Sequence, residues 1–423
     1  MKHGFSSLWI IASTLLLLVL LVAADPFQHA IQLLDKMYGA APEWTLVGKL
    51  YVDPDTQETS HGEDPVPSFQ RLSEYWSRHT GARHACLVGN SQMYTVLLAP
   101  GEPLSDDPEK TYPDLLNEFY RTHDEAVEVY RLAAPNITYM EALWYLTYLV
   151  QHRELEPNTF VLQLNYETFR KTGIRDGMLS MLEDPRFAAA IETFAKSDRP
   201  YSSLFLMALQ RRKEQIAKLG KTTGNDGAEV VYTGIAESAS IGNQIETNFR
   251  GRLDRVPGFA QRLYMKSEFE GVLYRARVFL LHIKPTTPRS LSEATLTLNR
   301  SAVEDIANLC REHKIDLILV NAPQNPSALL YRTAADHSLY ENALRSIASS
   351  HGLPLYDFEN AIPASYWGVW IDGPDPIHFG RRGHDLMAKI MIEHEVVSGQ
   401  LPLPAGAHSS AGASTLSAVS RDY

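Results

Sequence analysis

Five short apolar runs stand out along the chain: HACLVG (84–89), VEVYRLA (127–133), TFVLQL (159–164), IDLILV (315–320) and LPLYDF (353–358). Each has strand length, and longer stretches of helical periodicity separate them. Strand and helix in alternation predict parallel β-α-β units, hence an open α/β sheet covered on both faces. Between about residues 184 and 300 the pattern changes. AAAIETFAK, LFLMALQRRKEQIAKL and YRARVFLLHI repeat with helical spacing and no strand pairs are evident, so a mostly helical insertion is expected to interrupt the sheet. Its middle, GKTTGNDGAEVVYTGIAESASIGNQ, is rich in glycine and reads as a loop. GKTTG lacks the earlier glycine and the preceding strand of a phosphate-binding loop.

The ends differ from this core. Residues 8–24 are apolar except for Ser13 and Thr14 and follow a single lysine, a targeting segment near the lower length limit for spanning a bilayer. We read residues 1–24 as a membrane anchor; a signal peptide cleaved after Val22-Ala23-Ala24 is the alternative. Either predicts that the remainder is exported, in a membrane-anchored, extracytoplasmic location. Residues 25–80 form an amino-terminal extension in which YVDPDTQETSHGEDPVPS reads as a surface loop. The α/β domain is expected over 81–397, and the small, polar, Pro-containing residues 398–423 as a disordered tail.

Composition narrows the function. With 44% hydrophobic and 21% charged residues the chain is a folded globular protein, and its net charge of -11 with scattered basic groups argues against nucleic acid. Of the two cysteines, Cys86 falls in a strand and Cys310 in a helical pattern, which makes them core residues rather than a disulfide or metal pair.

The carboxyl end of a parallel strand opens on a crevice, and the first such turn, LVGNSQ (87–92), offers Ser91. Alone it reads as a helix cap. A nucleophile needs a base, and DPIHFGRRGH (375–384) provides one: Asp375 and His378 are close enough to project from one turn, the carboxylate fixing the imidazole tautomer. Asp372 is a competing orienter farther from His378. His384 reads as a packing or capping residue at the start of the last helix. A metal set of Asp372, Asp375, His378 and His384 lacks a recognised ligand spacing, and neither metal nor cofactor is expected. Asn321-Ala322-Pro323-Gln324-Asn325, after the fourth strand, is placed to line a pocket.

GNSQ (89–92), the Asn-bearing VLQLNYETFR (161–170) and DPIHFGRRGH together resemble blocks I, III and V of the SGNH/GDSL hydrolase superfamily. The resemblance implies a flavodoxin-like three-layer α/β/α fold. It also implies Ser91 as nucleophile, His378 as general base, Asp375 as its orienting partner and Asn165 as an oxyanion donor; otherwise Asn165 is a turn residue capping the next helix. The sequence departs from the family in three places. GDS is GNS here, Leu164-Asn165-Tyr166-Glu167 keeps only the Asn of block III, and the block II glycine has no clear counterpart. Asn136 in LAAPNITY (132–139) is the best position for that second oxyanion donor.

An anchored domain of this type resembles the bacterial proteins of alginate acetylation and teichoic-acid D-alanylation. That likeness implies a serine acyltransferase or esterase acting on O-acyl groups of a surface or exported polysaccharide, with a membrane acyl-donor protein as partner. A free-standing exported esterase or lipase is one alternative, and a non-catalytic component of a polysaccharide-export complex, with Ser91 as a cap, is another.

Overall fold

The computed structural model describes residues 49–52, 59–61, 65–97, 99, 102, 110–123, 127–219, 290–370 and 373–397. The apolar amino-terminal segment, most of the 25–80 extension, GKTTG with the rest of the insertion's glycine-rich middle, YRARVFLLHI and the carboxyl-terminal tail lie outside the described residues. Among the described residues no helix is long and apolar enough to cross a membrane.

All five apolar runs become strands of one sheet: β3 (Arg83–Gly89), β4 (Val127–Ala133), β5 (Thr159–Leu164), β6 (Asp316–Asn321) and β7 (Leu355–Asp357). Their spatial order is β4-β3-β5-β6-β7 and each pairing is parallel. Numbered from β3, this is the 2-1-3-4-5 order of a flavodoxin-like sheet, whose direction of winding reverses at β3. The crevice of such a sheet opens at that reversal, where Ser91 leaves β3 and Asn165 leaves β5.

Burial on both faces explains why these strands read as continuous apolar runs. Successive side chains of a strand point to opposite faces. Cys86 and Val88 accordingly enter one core with Leu72, Leu143, Trp144 and Ile306, while Ala85 and Leu87 enter another with Leu116, Tyr120, Met387 and Met391. The first core is covered by α1 (Val66–Arg78), α3 (Tyr139–Gln151), α7 (Glu293–His313) and α8 (Ala334–His351). The second is covered by α2 (Tyr112–Thr122) and α9 (Arg381–Glu393). Three layers result. Both cysteines are buried and free, Cys86 on the sheet and Cys310 on α7.

After β5 come the short α4 (Tyr166–Phe169), then α5 (Pro185–Lys196) and α6 (Ser202–Leu219), which form the described part of the helical insertion. Two features depart from the sequence reading. The turn-rich stretch near residue 60 is not wholly loop: β1 (Lys49–Val52) and β2 (Thr59–His61) pair antiparallel, and α1 begins at Val66. Asp375 and His378 do not sit on a simple turn either. They belong to β9 (Gly373–Phe379), paired antiparallel with β8 (Trp367–Trp370) in an irregular register.

The last helix is tied down by groups distant in sequence. Glu102, a buried carboxylate, accepts from the Arg381 and Arg382 N–H groups at 3.3 and 3.1 Å, which places an anion at the start of α9. His384 is fully buried; its Nε2 donates to the Thr95 carbonyl at 3.1 Å and its Nδ1 accepts from the Tyr112 N–H at 3.2 Å. It is thus a packing residue, as its sequence context suggests, and burial pushes its pKa down to about 3.

That depression has a sign. An unfolded histidine titrates near pH 6.5, so between there and about 3 the unfolded chain holds a proton that folded His384 does not. Stability contributed by the neutral ring is complete above about pH 6.5 and is lost as pH falls toward 3, by at most about 1.4 kcal/mol per pH unit. We expect the urea midpoint of His384→Gln to fall less steeply than that of the wild type between about pH 7 and about pH 4. Equal slopes would remove His384 from this account.

Candidate active site

Gly89 ends β3 and the chain turns at once into the single 3-10 turn Ser91–Met93. Asn90 caps that turn: its Oδ1 accepts from the Gln92 N–H at 3.0 Å. The capping role foreseen for Ser91 therefore belongs to its neighbour. An aspartate could cap here too, but Asn90 does it without adding a buried charge.

The Ser91 hydroxyl instead lies 2.8 Å from His378 Nε2, joining positions 287 residues apart. On the other side of the ring, His378 Nδ1 is 3.1 Å from Asp375 Oδ2. An ionised carboxylate only accepts, so Nδ1 carries the proton and Nε2 is left to accept from the serine. Asp375 is wholly buried, and its Oδ1 accepts from the Ile377 and His378 N–H groups at 2.7 and 2.6 Å. These two bonds fold the strand locally. They let residues three apart meet where regular alternation would send them to opposite faces.

Burial alone would push the Asp375 carboxyl up. The charge and ring N–H of His378 and the two backbone N–H groups outweigh it and hold the pKa below the usual carboxylate range. The acid is ionised at neutral pH and able to stabilise an imidazolium beside it.

Two glutamines build the serine's turn. Gln92 Nε2 donates to the Pro323 carbonyl at 2.9 Å and the Ile377 carbonyl at 2.7 Å, and its Oε1 accepts from Gln163 Nε2 at 2.6 Å. Gln163 Oε1 accepts in turn from the Asn90 N–H at 3.0 Å. The loops after β3 and β6, the strand β5 and the Asp-His segment are thus fastened through one buried amide pair. Asn325 adds a brace by donating to the Asp375 carbonyl at 2.8 Å. Sequence reasoning passed over Gln92 and Gln163; the available signal was a lone polar residue inside the apolar run TFVLQL.

Asn165 takes the capping role that the sequence allowed. Its Oδ1 accepts from the Thr168 N–H at 2.7 Å, capping α4, and its own N–H donates to the Tyr139 hydroxyl at 3.0 Å. With Oδ1 so occupied, Nδ2 is the group it offers to the crevice. That crevice is narrow, about 10 Å3, room for roughly one water, and Asn90, Gln92, Asn165, Glu167, Pro323, Gln324, Pro376 and Ile377 line it. The Ser91 N–H takes no partner among the described residues.

Asn136 is not brought to the Ser91–His378 pair by its side chain, whose Oδ1 accepts from Lys171 Nζ. Its backbone is distinctive: φ is 51°, the left-handed region where glycine is the default. The turn that holds it is fastened to the serine's turn, since the Ala134 N–H donates to the Gly89 carbonyl at 3.2 Å. What Asn136 can offer a site is therefore its backbone N–H.

The other candidates fall elsewhere. Asp372 lies outside the described residues. Asp375, His378 and His384 are each committed to protein partners, as described above. Of the loop after β6, Pro323 and Gln324 line the crevice, whereas Asn321 bonds Asp357 and Tyr340. A second recess, about 250 Å3, holds Arg332, His337 and Glu359. His337, Glu341 and Glu359 converge there as a metal could require, but the Arg332 guanidinium already sits on Glu359 and would oppose a cation.

No family model and no curated relative matches the chain. Solved structures similar to it include a lipase/acylhydrolase from Enterococcus faecalis, at 13% identity and a TM-score of 0.31, covering 76% of this chain and 100% of that one. Phospholipase A1 from Streptomyces albidoflavus NA297 matches at 12% identity and a TM-score of 0.29, covering 73% and 99%. Est24, a carbohydrate acetylesterase from Sinorhizobium meliloti, matches at 8% identity and a TM-score of 0.28, covering 74% and 97%. At such values the likeness carries no functional weight, which rests on the geometry above.

Gly89 is a sensitive position. A Cβ there would lie 2.3 Å from Gln163 Oε1 and 2.6 Å from Met93 Cε, both packed. Gly89→Ala should cost about 1–3 kcal/mol, read in urea unfolding, by forcing the amide pair apart. A variant as stable as the wild type would show that the Gln163 brace yields freely.

Proposed function

We propose that the protein is a serine esterase or O-acyltransferase of SGNH type. The observation that carries this reading is the continuous contact Ser91 Oγ, His378 Nε2, His378 Nδ1, Asp375 Oδ2, with the carboxylate buried and ionised. A serine hydroxyl is too weak an acid to attack an ester alone. His378 Nε2 takes its proton as Oγ bonds to the acyl carbon, and the ring, now protonated on both nitrogens and carrying one positive charge, is stabilised by Asp375. The oxyanion that forms needs donors already in place, each worth about 3 kcal/mol or more when removed. The Ser91 N–H and Asn165 Nδ2 are the first candidates, and the Asn136 N–H, on a turn tied to the serine's turn, is a third. The leaving alkoxide takes the proton back from His378. In the second half His378 deprotonates the acceptor, water in an esterase or a sugar hydroxyl in a transferase.

Asn90 bears against a scaffold role for the serine. The cap of the turn is already supplied by its side chain, and the Ser91 hydroxyl is spent on His378. The finer reading follows the sequence: an exported, membrane-tethered enzyme handling O-acyl groups of a surface or exported polysaccharide, served by a membrane acyl-donor protein.

Ser91→Ala should keep the melting temperature within a few degrees. It should lower turnover of a small aryl ester by about 10^3-fold or more and abolish labelling by a fluorophosphonate. Unchanged turnover would sink the hydrolase reading. For the finer reading, cells carrying Ser91→Ala should show altered O-acyl content of their surface polymer; identical content with an enzyme active on aryl esters would assign it to other esters.

A further inference from the structure

We propose that Lys171 is a positioning residue: its ammonium holds Asn136 in the left-handed conformation that presents the Asn136 backbone N–H as a second oxyanion donor. This inference rests on the acyl-transfer reading above. A non-glycine residue pays for positive φ and keeps it only where its surroundings fix it. Asn136 has φ 51°, it is exposed, and its N–H takes no partner among the described residues. Solvent exposure alone would let the turn relax. Its restraint comes from below.

Lys171 is 8% exposed, and its Nζ donates to Asn136 Oδ1. The lysine's own backbone is held in place, because Asn299, wholly buried on α7, donates Nδ2 to the Phe169 carbonyl at 2.9 Å and the Lys171 carbonyl at 3.0 Å. A second cation grips the preceding residue: Arg175 Nη2 donates to the Pro135 carbonyl at 2.9 Å while the same guanidinium pairs with fully buried Glu141 on α3. The start of α3 also carries Tyr139, whose hydroxyl accepts from the Asn165 N–H. The turn bearing Asn136 and the residue Asn165, which leave different strands, are therefore fastened to one helix terminus.

The arrangement explains why glycine is dispensable at this turn. Glycine takes positive φ at no steric cost and asparagine at a modest one, which the Lys171 ammonium offsets by holding Oδ1. The clamp and the glycine are alternatives, which makes the idea testable by exchange of one for the other.

The test uses the full chain and a small aryl ester, with kcat and KM measured separately and folding followed by melting temperature. Lys171→Met should lower kcat about tenfold or more, with KM within about twofold, since the lost contact acts on the transition state. Adding Asn136→Gly to Lys171→Met should recover most of that loss; adding Asn136→Ala should not, because alanine neither accepts from the lysine position nor tolerates the conformation. Wild-type kcat in Lys171→Met, or equal rates in the Gly and Ala double variants, would overturn the proposal. If Lys171→Met fails to fold, the comparison moves to Asn136→Gly against Asn136→Ala in the wild-type background: a markedly faster Gly variant supports the clamp and equal rates overturn it. Turnover that survives Ser91→Ala would instead bring down the acyl-transfer reading itself, a separate result from a silent Lys171→Met beside an inactive Ser91→Ala.

Discussion

A carboxylate with no exposed surface has to be kept ionised, and the site is organised around that requirement. Taking Asp375 out of water costs several kcal/mol unless its lone pairs are filled. Two backbone N–H groups and one imidazole fill them. The same bonds bend β9, bring His378 beside its partner and fix which ring nitrogen is protonated. Local conformation and tautomer therefore follow from one buried charge. Were the carboxyl neutral, the ring would lose its orienting acceptor and the Nε2 lone pair facing Ser91 would no longer be guaranteed.

The second requirement is that two distant segments, which meet at 2.8 Å, hold that separation closely. Ser91 leaves β3, next to the centre of the sheet, while His378 arrives on a hairpin after all five strands are complete. Parallel pairing fixes β3 against β5 and β5 against β6, so the loops at their carboxyl ends are registered by the sheet itself. What remains adjustable is the last segment. Gln92 closes that gap by donating to the Pro323 and Ile377 carbonyls, and Glu102 and His384 fasten the helix that follows. Each tie is a polar group buried with its partners present, the condition under which such networks stiffen a structure instead of weakening it.

Much of this was legible in the sequence because apolar runs of strand length, separated by helical spacing, leave few topologies once both faces must be covered. The five strands appear within two residues of their runs at nearly every end. The pairing of Ser91 with Asp-x-x-His was legible by chemical necessity, since a serine nucleophile needs a base and the base an orienter. Three things were hidden. The β1–β2 ribbon uses short strands around a turn-rich stretch, too brief to show alternation. The glutamine pair involves one residue of a strand and one of a turn, and nothing local marks a cross-sheet partner. The conformation of Asn136 depends on Lys171, thirty-five residues later, and positive φ leaves no mark on a sequence when glycine is absent.

The capping residues carry the last step. Asn90 and Asn165 each spend a side-chain oxygen on a backbone N–H at the start of a short helical turn, the ordinary business of a cap. Capping also has a consequence for chemistry. It fixes the turn without drawing on other polar groups: the Ser91 hydroxyl, left for His378, and the Ser91 N–H in one case, the Asn165 amide nitrogen in the other. An aspartate would cap equally well but would add a charge at a buried position. Asparagine at position 90 thus gives a rigid turn without adding a buried charge to the one that Asp375 already carries.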